Sequence, residues 1–189
     1  MKLDVLVRKY ISMIRPIAQD ELNWFRSQPN LKEAVKCAGL AINRKGKRYF
    51  HQRKIIREAL PQAESILSAH LKSIKKCTDF DELYNLIDTL LEHVDGIGEL
   101  YIYDTSLRIG AKLNCLPSKV YLHAGVREGA KAIGFNGKLK YVELSDLPKE
   151  LQELEPHEIE DVLCIFKDKL KQIKIDVADE EILRRSWCK

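Results

Sequence analysis

Three stretches of this chain carry residues whose types and spacing suit chemistry on an anionic polymer. The first is Val94-Asp95-Gly96-Ile97-Gly98-Glu99-Leu100. Two glycines straddle one isoleucine, with apolar helical pattern on both sides. Glycine admits positive φ and lets another backbone approach closely. A helix that starts at Glu99 presents amide N–H groups with no internal partner at the positive end of its dipole, and such an end attracts phosphate. Gly96, Ile97 and Gly98 are therefore candidate phosphate-holding residues. The second stretch, residues 43–54, holds Arg44, Lys45, Lys47, Arg48, Arg53 and Lys54 with no acid. Tyr49 and Phe50 interleave these charges, a pattern suited to phosphate contact and to stacking on an exposed base. The alternative is a solvated basic loop whose aromatics turn into the core. The third is Tyr103-Asp104-Thr105-Ser106-Leu107-Arg108, in which Asp104 can pair with Arg108 one helical turn on.

His123 and Arg127 form a weaker group. Gly125-Val126 echoes the first glycine turn, with Arg127 where a second glycine would stand. The segment reads either as a degenerate second hairpin, with Arg127 on phosphate, or as a small-residue helix (Gly125, Gly129, Ala130, Ala132) packed closely on a neighbour. No second His, Asp or Glu stands at metal-ligand spacing from His123, so no metal and no cofactor is expected. The five cysteines are odd in number and scattered without a CxxC pair, which suits reduced, packed thiols. No P-loop, GxSxG, HExxH, EF-hand or dinucleotide fingerprint occurs.

The charge is unevenly distributed. Residues 143–161 carry eight acids against Lys149, and residues 162–189 carry a net +2, which leaves +9 for residues 1–142 out of an overall +4. The basic charge thus shares the chain segment of the glycine hairpin. No apolar run reaches the roughly 18 residues of a membrane span. The start, Met1-Lys2-Leu3-Asp4, lacks the pattern of a signal peptide, and a cytoplasmic protein without membrane association is expected.

The elements that must position these residues read as helices. Apolar residues recur at helical spacing in residues 3–14, and Pro16 ends or kinks that helix. A second helix is predicted over 17–26, closed by Pro29, and a third over 31–40, capped by Asn30. Pro61 sits in the first turn of the next. Thr78 is expected as the N-cap of a helix with the stripe Phe80, Leu83, Tyr84, Ile87, Leu91, Val94, which delivers the chain into the hairpin. The helix after the hairpin is apolar on two faces, so neighbours on both sides are expected. Residues 120–122 read as a short strand or as part of a helix, and residues 138–143 as a strand that can pair with them. Ser145 or Asp146 is expected to cap a short helix with Pro148 in its first turn. A last helix is predicted from His157 to about Ile173, with its acidic first turn as a solvated face and a further turn through Ile182 and Leu183. The expected fold is mainly α: a multi-helix single domain over 1–189 with a helix-hairpin-helix element at 94–113 at its centre and a small two-stranded β appendage.

Residues 94–110 resemble the helix-hairpin-helix motif of DNA-binding and DNA-repair proteins, the base-excision glycosylases among them. In that family a hydrophobic-x-Gly-hydrophobic-Gly loop contacts phosphates through backbone amides, and Val94, Gly96, Ile97 and Gly98 match it. The resemblance implies sequence-independent binding to DNA, duplex ahead of single strand, with the basic loop extending the contact. It also implies an alternative, base excision with Asp104 as the acid that stabilises a developing sugar cation. In the glycosylases the aspartate lies further from the hairpin than Asp104 does, and Leu100 stands where lyase-active members carry lysine. A third expectation, from another class, is a protein-interaction module in which the hairpin is a tight helical corner.

Overall fold

The computed structural model describes residues 2–56 and 58–172. These residues build a mainly helical protein with one two-stranded sheet. In chain order they form α1 (Leu3–Met13), α2 (Arg15–Arg26), α3 (Leu31–Gly39), a 3₁₀ turn (Phe50–Gln52), α4 (Ala59–Ala69), α5 (Leu71–Ile74), α6 (Phe80–Leu91) and α7 (Glu99–Leu113). Then follow β1 (Val120–Tyr121), α8 (Ala124–Ala132), β2 (Tyr141–Val142), a 3₁₀ turn (Leu144–Asp146), α9 (Pro156–Ile165) and α10 (Lys167–Leu170). The expected turn through Ile182 and Leu183 lies outside the described residues, as does the end of the predicted last helix at Ile173. No helix among the described residues is long and apolar enough to cross a membrane.

The chain divides into two compact units: Ala18–Pro117, and Met1–Ile17 together with Ser118–Lys189. Each has its own apolar cluster. The chain passes from one unit to the other inside α2 and again at Pro117, without a Pro/Gly/Ser-rich linker.

In the contiguous unit, α7 packs against α3 and α6. Its side chains are buried on all sides, from Tyr101, Ile102 and Tyr103 through Thr105, Ser106 and Arg108 to Ile109, Gly110 and Ala111. The two apolar faces legible in its sequence are thus both covered. The Tyr101 hydroxyl donates to the Gly39 carbonyl at 2.6 Å, which fixes α3 against α7. Asn114, at φ 59° in the left-handed region, ends α7, and the Cys115 amide turns back to the Gly110 carbonyl at 2.9 Å. A Cβ on Gly110 would come within 2.5 Å of the Cys115 carbonyl oxygen, so glycine is needed there for the chain's own reversal. The N-cap of α6 is Asp79 rather than Thr78. Asp79 Oδ1 accepts from the Glu82 amide at 2.8 Å, while Thr78 donates its amide and hydroxyl to the Glu82 carboxylate. The sequence-based expectation was one residue early because Thr and Asp are both good caps and stand side by side.

The second unit is built from both ends of the described chain. β1 pairs antiparallel with β2, Val120 opposite Val142 and Tyr121 opposite Tyr141. α8 and α9 pack closely, with α1 and β1 also against α9. A Cβ on Gly129 would lie 2.1 Å from the Leu163 carbonyl oxygen, and one on Gly125 would lie 2.8 Å from Cys164 Sγ. α8 is therefore a small-residue helix seated on α9. Because β1 and not a helix precedes it, this segment is not a second helix-hairpin-helix. The expected short helix capped at Ser145 or Asp146 is instead the 3₁₀ turn Leu144–Asp146 followed by a single turn closed on the Pro148 carbonyl.

The acidic start of the last helix is not a solvated face. Glu158 and Glu160 are 3% and 7% exposed, and each acid of this turn ties α9 to another element. Arg15 grips Glu158 with Nε and Nη2, both at 2.7 Å. His123 Nε2 lies 2.6 Å from Glu160 Oε1. The Tyr10 hydroxyl donates to Asp161 Oδ2 at 2.9 Å. A buried carboxylate needs such partners, because taking an ion out of water costs several kcal/mol. The partners come from the first 15 residues and from the start of α8, too distant in sequence for local pattern to reveal.

Candidate nucleic-acid interface

The basic loop and the glycine hairpin belong to the same unit, Ala18–Pro117. The loop opens as a small hairpin, with Ile42 bridged to Arg48. Asn43 organises its tip: its side-chain Oδ1 accepts from the amides of Lys45 and Lys47, and its carbonyl accepts from the Gly46 amide. Gly46 takes φ +67°, a conformation that favours glycine. Arg44, Lys45 and Lys47 are thereby displayed, exposed, on an ordered turn. Arg48 is half-buried and donates to the Ile55 carbonyl at 3.2 Å. Arg53 and Lys54 are exposed. Among the described residues none of these six cations forms an ion pair.

The two aromatics part company. Tyr49 turns inward and is 8% exposed, whereas Phe50 is 80% exposed, with the Arg53 guanidinium 5.1 Å from its ring centre. Of the two rings, Tyr49 turns into the core and Phe50 faces solvent.

What fastens the loop is a polar cluster centred on α7. Asp104 Oδ2 accepts from Gln52 Nε2 at 2.6 Å and lies 2.7 Å from His51 Nε2. Arg108, one turn along α7, reaches the same oxygen at 3.5 Å, the side-chain Oε1 of Gln52 at 3.3 Å and Glu21 of α2 at 3.4 Å. Its guanidinium lies 3.8 Å from the centre of the Tyr49 ring. Arg108 is only 3% exposed, so its charge is held by carboxylates on two sides and by an aromatic face. Burial pushes the Tyr49 phenol above its ordinary range; Arg108 opposes this, and Glu21 reinforces it. The expected Asp104–Arg108 pair is present, and with it come His51, Gln52, Tyr49 and Glu21. Sequence reading missed these partners. They lie 52 to 87 residues away in the chain, and the only trace of them was the polar His51-Gln52 pair after Phe50. As an arrangement, Asp104 is an anchor for the loop on α7.

The hairpin itself is open to solvent at Asp95, Gly96, Gly98 and Glu99, while Val94 is buried and Ile97 half-buried. Gly96 takes φ +84° and so requires glycine, and the Ile56 side chain at the end of the basic segment would meet its Cβ at 3.2 Å. The basic segment therefore runs down onto the hairpin. Gly98 is the N-cap of α7 at φ −129° and brings no side chain to cap the helix. A Cβ there would meet nothing within 4 Å. Gly98 and Glu99 at the start of α7 are exposed, and Glu92, Asp95 and Glu99 are exposed acids within seven residues of each other in sequence.

Arg127 lies in the other unit, half-buried on α8, where its Nε donates to the Gly137 carbonyl at 3.1 Å. His123 is buried against Glu160 there. Among the described residues no three His, Cys, Asp or Glu side chains gather as a metal site. Burial raises the thiols of Cys37, Cys77 and Cys115 above their ordinary range. Comparison with protein-family models, curated proteins and solved structures found no match to this chain.

Proposed function

We propose that the unit Ala18–Pro117 binds the phosphate backbone of DNA without reading its sequence. The observation that carries this reading is a run of six cations at residues 44–54, none ion-paired among the described residues, on a loop that is itself ordered and bolted to α7. Unpaired charges on a rigid platform attract a polyanion and lose little conformational freedom on binding. The hairpin Gly96-Ile97-Gly98 adds α7 amides next to the same segment. Its acidic surroundings leave the larger share of affinity to Arg44, Lys45, Lys47, Arg48, Arg53 and Lys54. Phosphate contacts carry no base information, so affinity should vary little among sequences. On an unpaired strand Phe50 adds a face on which a base can stack, worth about 1–3 kcal/mol.

The test is binding to duplex and single-stranded DNA across a salt series. With six charges engaged, the log-log salt slope for duplex is about −5. Lys45→Glu/Lys47→Glu should flatten that slope and weaken binding to both forms. Gly98→Val, sterically permitted in the folded chain, should weaken it by obstructing the α7 amides. Phe50→Ala should weaken single-strand binding alone. Absence of binding at low salt by a protein with an intact helical circular-dichroism signal would reject the reading and leave a protein-interaction module.

A further inference from the structure

The contiguous unit holds a second cationic feature, away from the basic loop in sequence and sharing no residue with it. A cleft of about 540 Å³ opens between the start of α3, α5 and the end of α7. Four lysines line it: Lys32, Lys72, Lys75 and Lys112. No acidic side chain lines it, and among the described residues none of the four lysines is ion-paired. Leu31, Leu71 and Leu113 supply apolar wall. The volume falls within the roughly 300–1,000 Å³ of small-molecule sites.

We propose that this cleft binds a nucleoside polyphosphate. The charge count selects the ligand class. Four lysines and no acid line one open cleft, so a polyanion gains more there than a monoanion such as a fatty-acid carboxylate, which can engage only part of the charge. Each phosphoryl group brings up to about two negative charges at neutral pH, so a di- or triphosphate matches the site. Lysine is a point-charge phosphate binder that needs no fixed fork geometry. Lys112 is the positioned member: its Nζ donates to the Arg26 and Gln28 carbonyls, which hold the ammonium in place and leave its third N–H for a ligand. Lys32, Lys72 and Lys75 are exposed and can close on the phosphates from the rim. The three leucines would take the apolar faces of the sugar and base, which inorganic phosphate lacks.

This inference does not rest on DNA binding, and the two can fail separately. Calorimetric titration of the full chain with ATP, pyrophosphate and adenosine at low salt tests it. ATP should bind saturably at one site, pyrophosphate more weakly, and adenosine not detectably. Lys72→Ala/Lys75→Ala, exposed positions whose loss should leave the melting temperature unchanged, should weaken ATP by about tenfold or more. Lys45→Glu/Lys47→Glu, which tests the basic loop, should leave ATP binding unchanged. Three outcomes would overturn the inference: no saturable ATP binding, equal affinity for ATP in the Lys72/Lys75 variant, or pyrophosphate binding as tightly as ATP, which would reduce the cleft to a basic patch.

Discussion

At the scale of single residues, Arg108 has the most to lose. It is a buried cation between Glu21 and Asp104, stacked on Tyr49 and bonded to Gln52. Its removal strips the positive charge from two carboxylates and unfastens the basic loop. Arg108→Ala should therefore destabilise the contiguous unit by about 3–5 kcal/mol, read from denaturant unfolding. Arg108→Lys should recover little, because an ammonium has neither the planar face for Tyr49 nor a fork that spans three partners. A near-neutral Arg108→Ala would show that the cluster is surface decoration.

Tyr10, Tyr49 and Tyr101 make a pH prediction. Burial is the largest cause of the raised phenol in all three, and for Tyr10 the Asp161 carboxylate adds to it. A raised folded-state value means that the protonated phenol is the form the fold favours. The contribution to stability is complete below the ordinary value of about 10 and is lost as pH climbs from there towards the folded-state value. Stability should hold through neutral pH and fall above about pH 10. Ultraviolet titration of the folded protein should show at least three of the seven tyrosines still protonated at about pH 11.

At the scale of elements, the α8–α9 contact has the narrowest tolerance. Gly129 lets the backbone of α8 lie against the Leu163 carbonyl, which a Cβ would reach at 2.1 Å. No rotamer can relieve that contact because both partners are main chain. Gly129→Ala should cost at least about 1–3 kcal/mol, against the helix-propensity gain of roughly 1 kcal/mol that the same change brings on an open helix face. A rise in melting temperature for Gly129→Ala would contradict this packing. Gly98 is the contrasting case: it has room for a side chain, so its replacement probes binding rather than folding.

At the scale of the whole molecule, the contiguous unit Ala18–Pro117 owns a complete apolar core, from Phe25 and Val35 to Ile109 and Cys115. Residues 15–117, extended to keep α2 whole, should fold alone with a single cooperative melt. Residues 118–172 alone should not, because α9 needs Tyr10 and Arg15 from the start of the chain. Circular dichroism of the two fragments decides the matter: a folded 118–172, or an unfolded 15–117, would reject this account.

Most helix positions, the Asn30 cap and the burial of α7 on both faces were legible in the sequence, and the pairing of the two short strands was one of its readings; the breaks between α4 and α5 and between α9 and α10 were not legible. The legible features depend on local periodicity and on neighbours a few residues apart. The six cations and the two glycines of the candidate interface were legible for the same reason, as was the Asp104–Arg108 pair one turn apart. Tertiary structure alone decided which ring of Tyr49-Phe50 faces solvent, and it alone joined Asp104 to His51 and Gln52. It also decided that the acids of α9 are buried partners of Arg15, His123 and Tyr10, and that four lysines from three elements line one cleft. Each of these depends on side chains brought together across tens of residues. Periodicity within one element says which face is apolar, but it carries no information about which distant charge will meet a buried one.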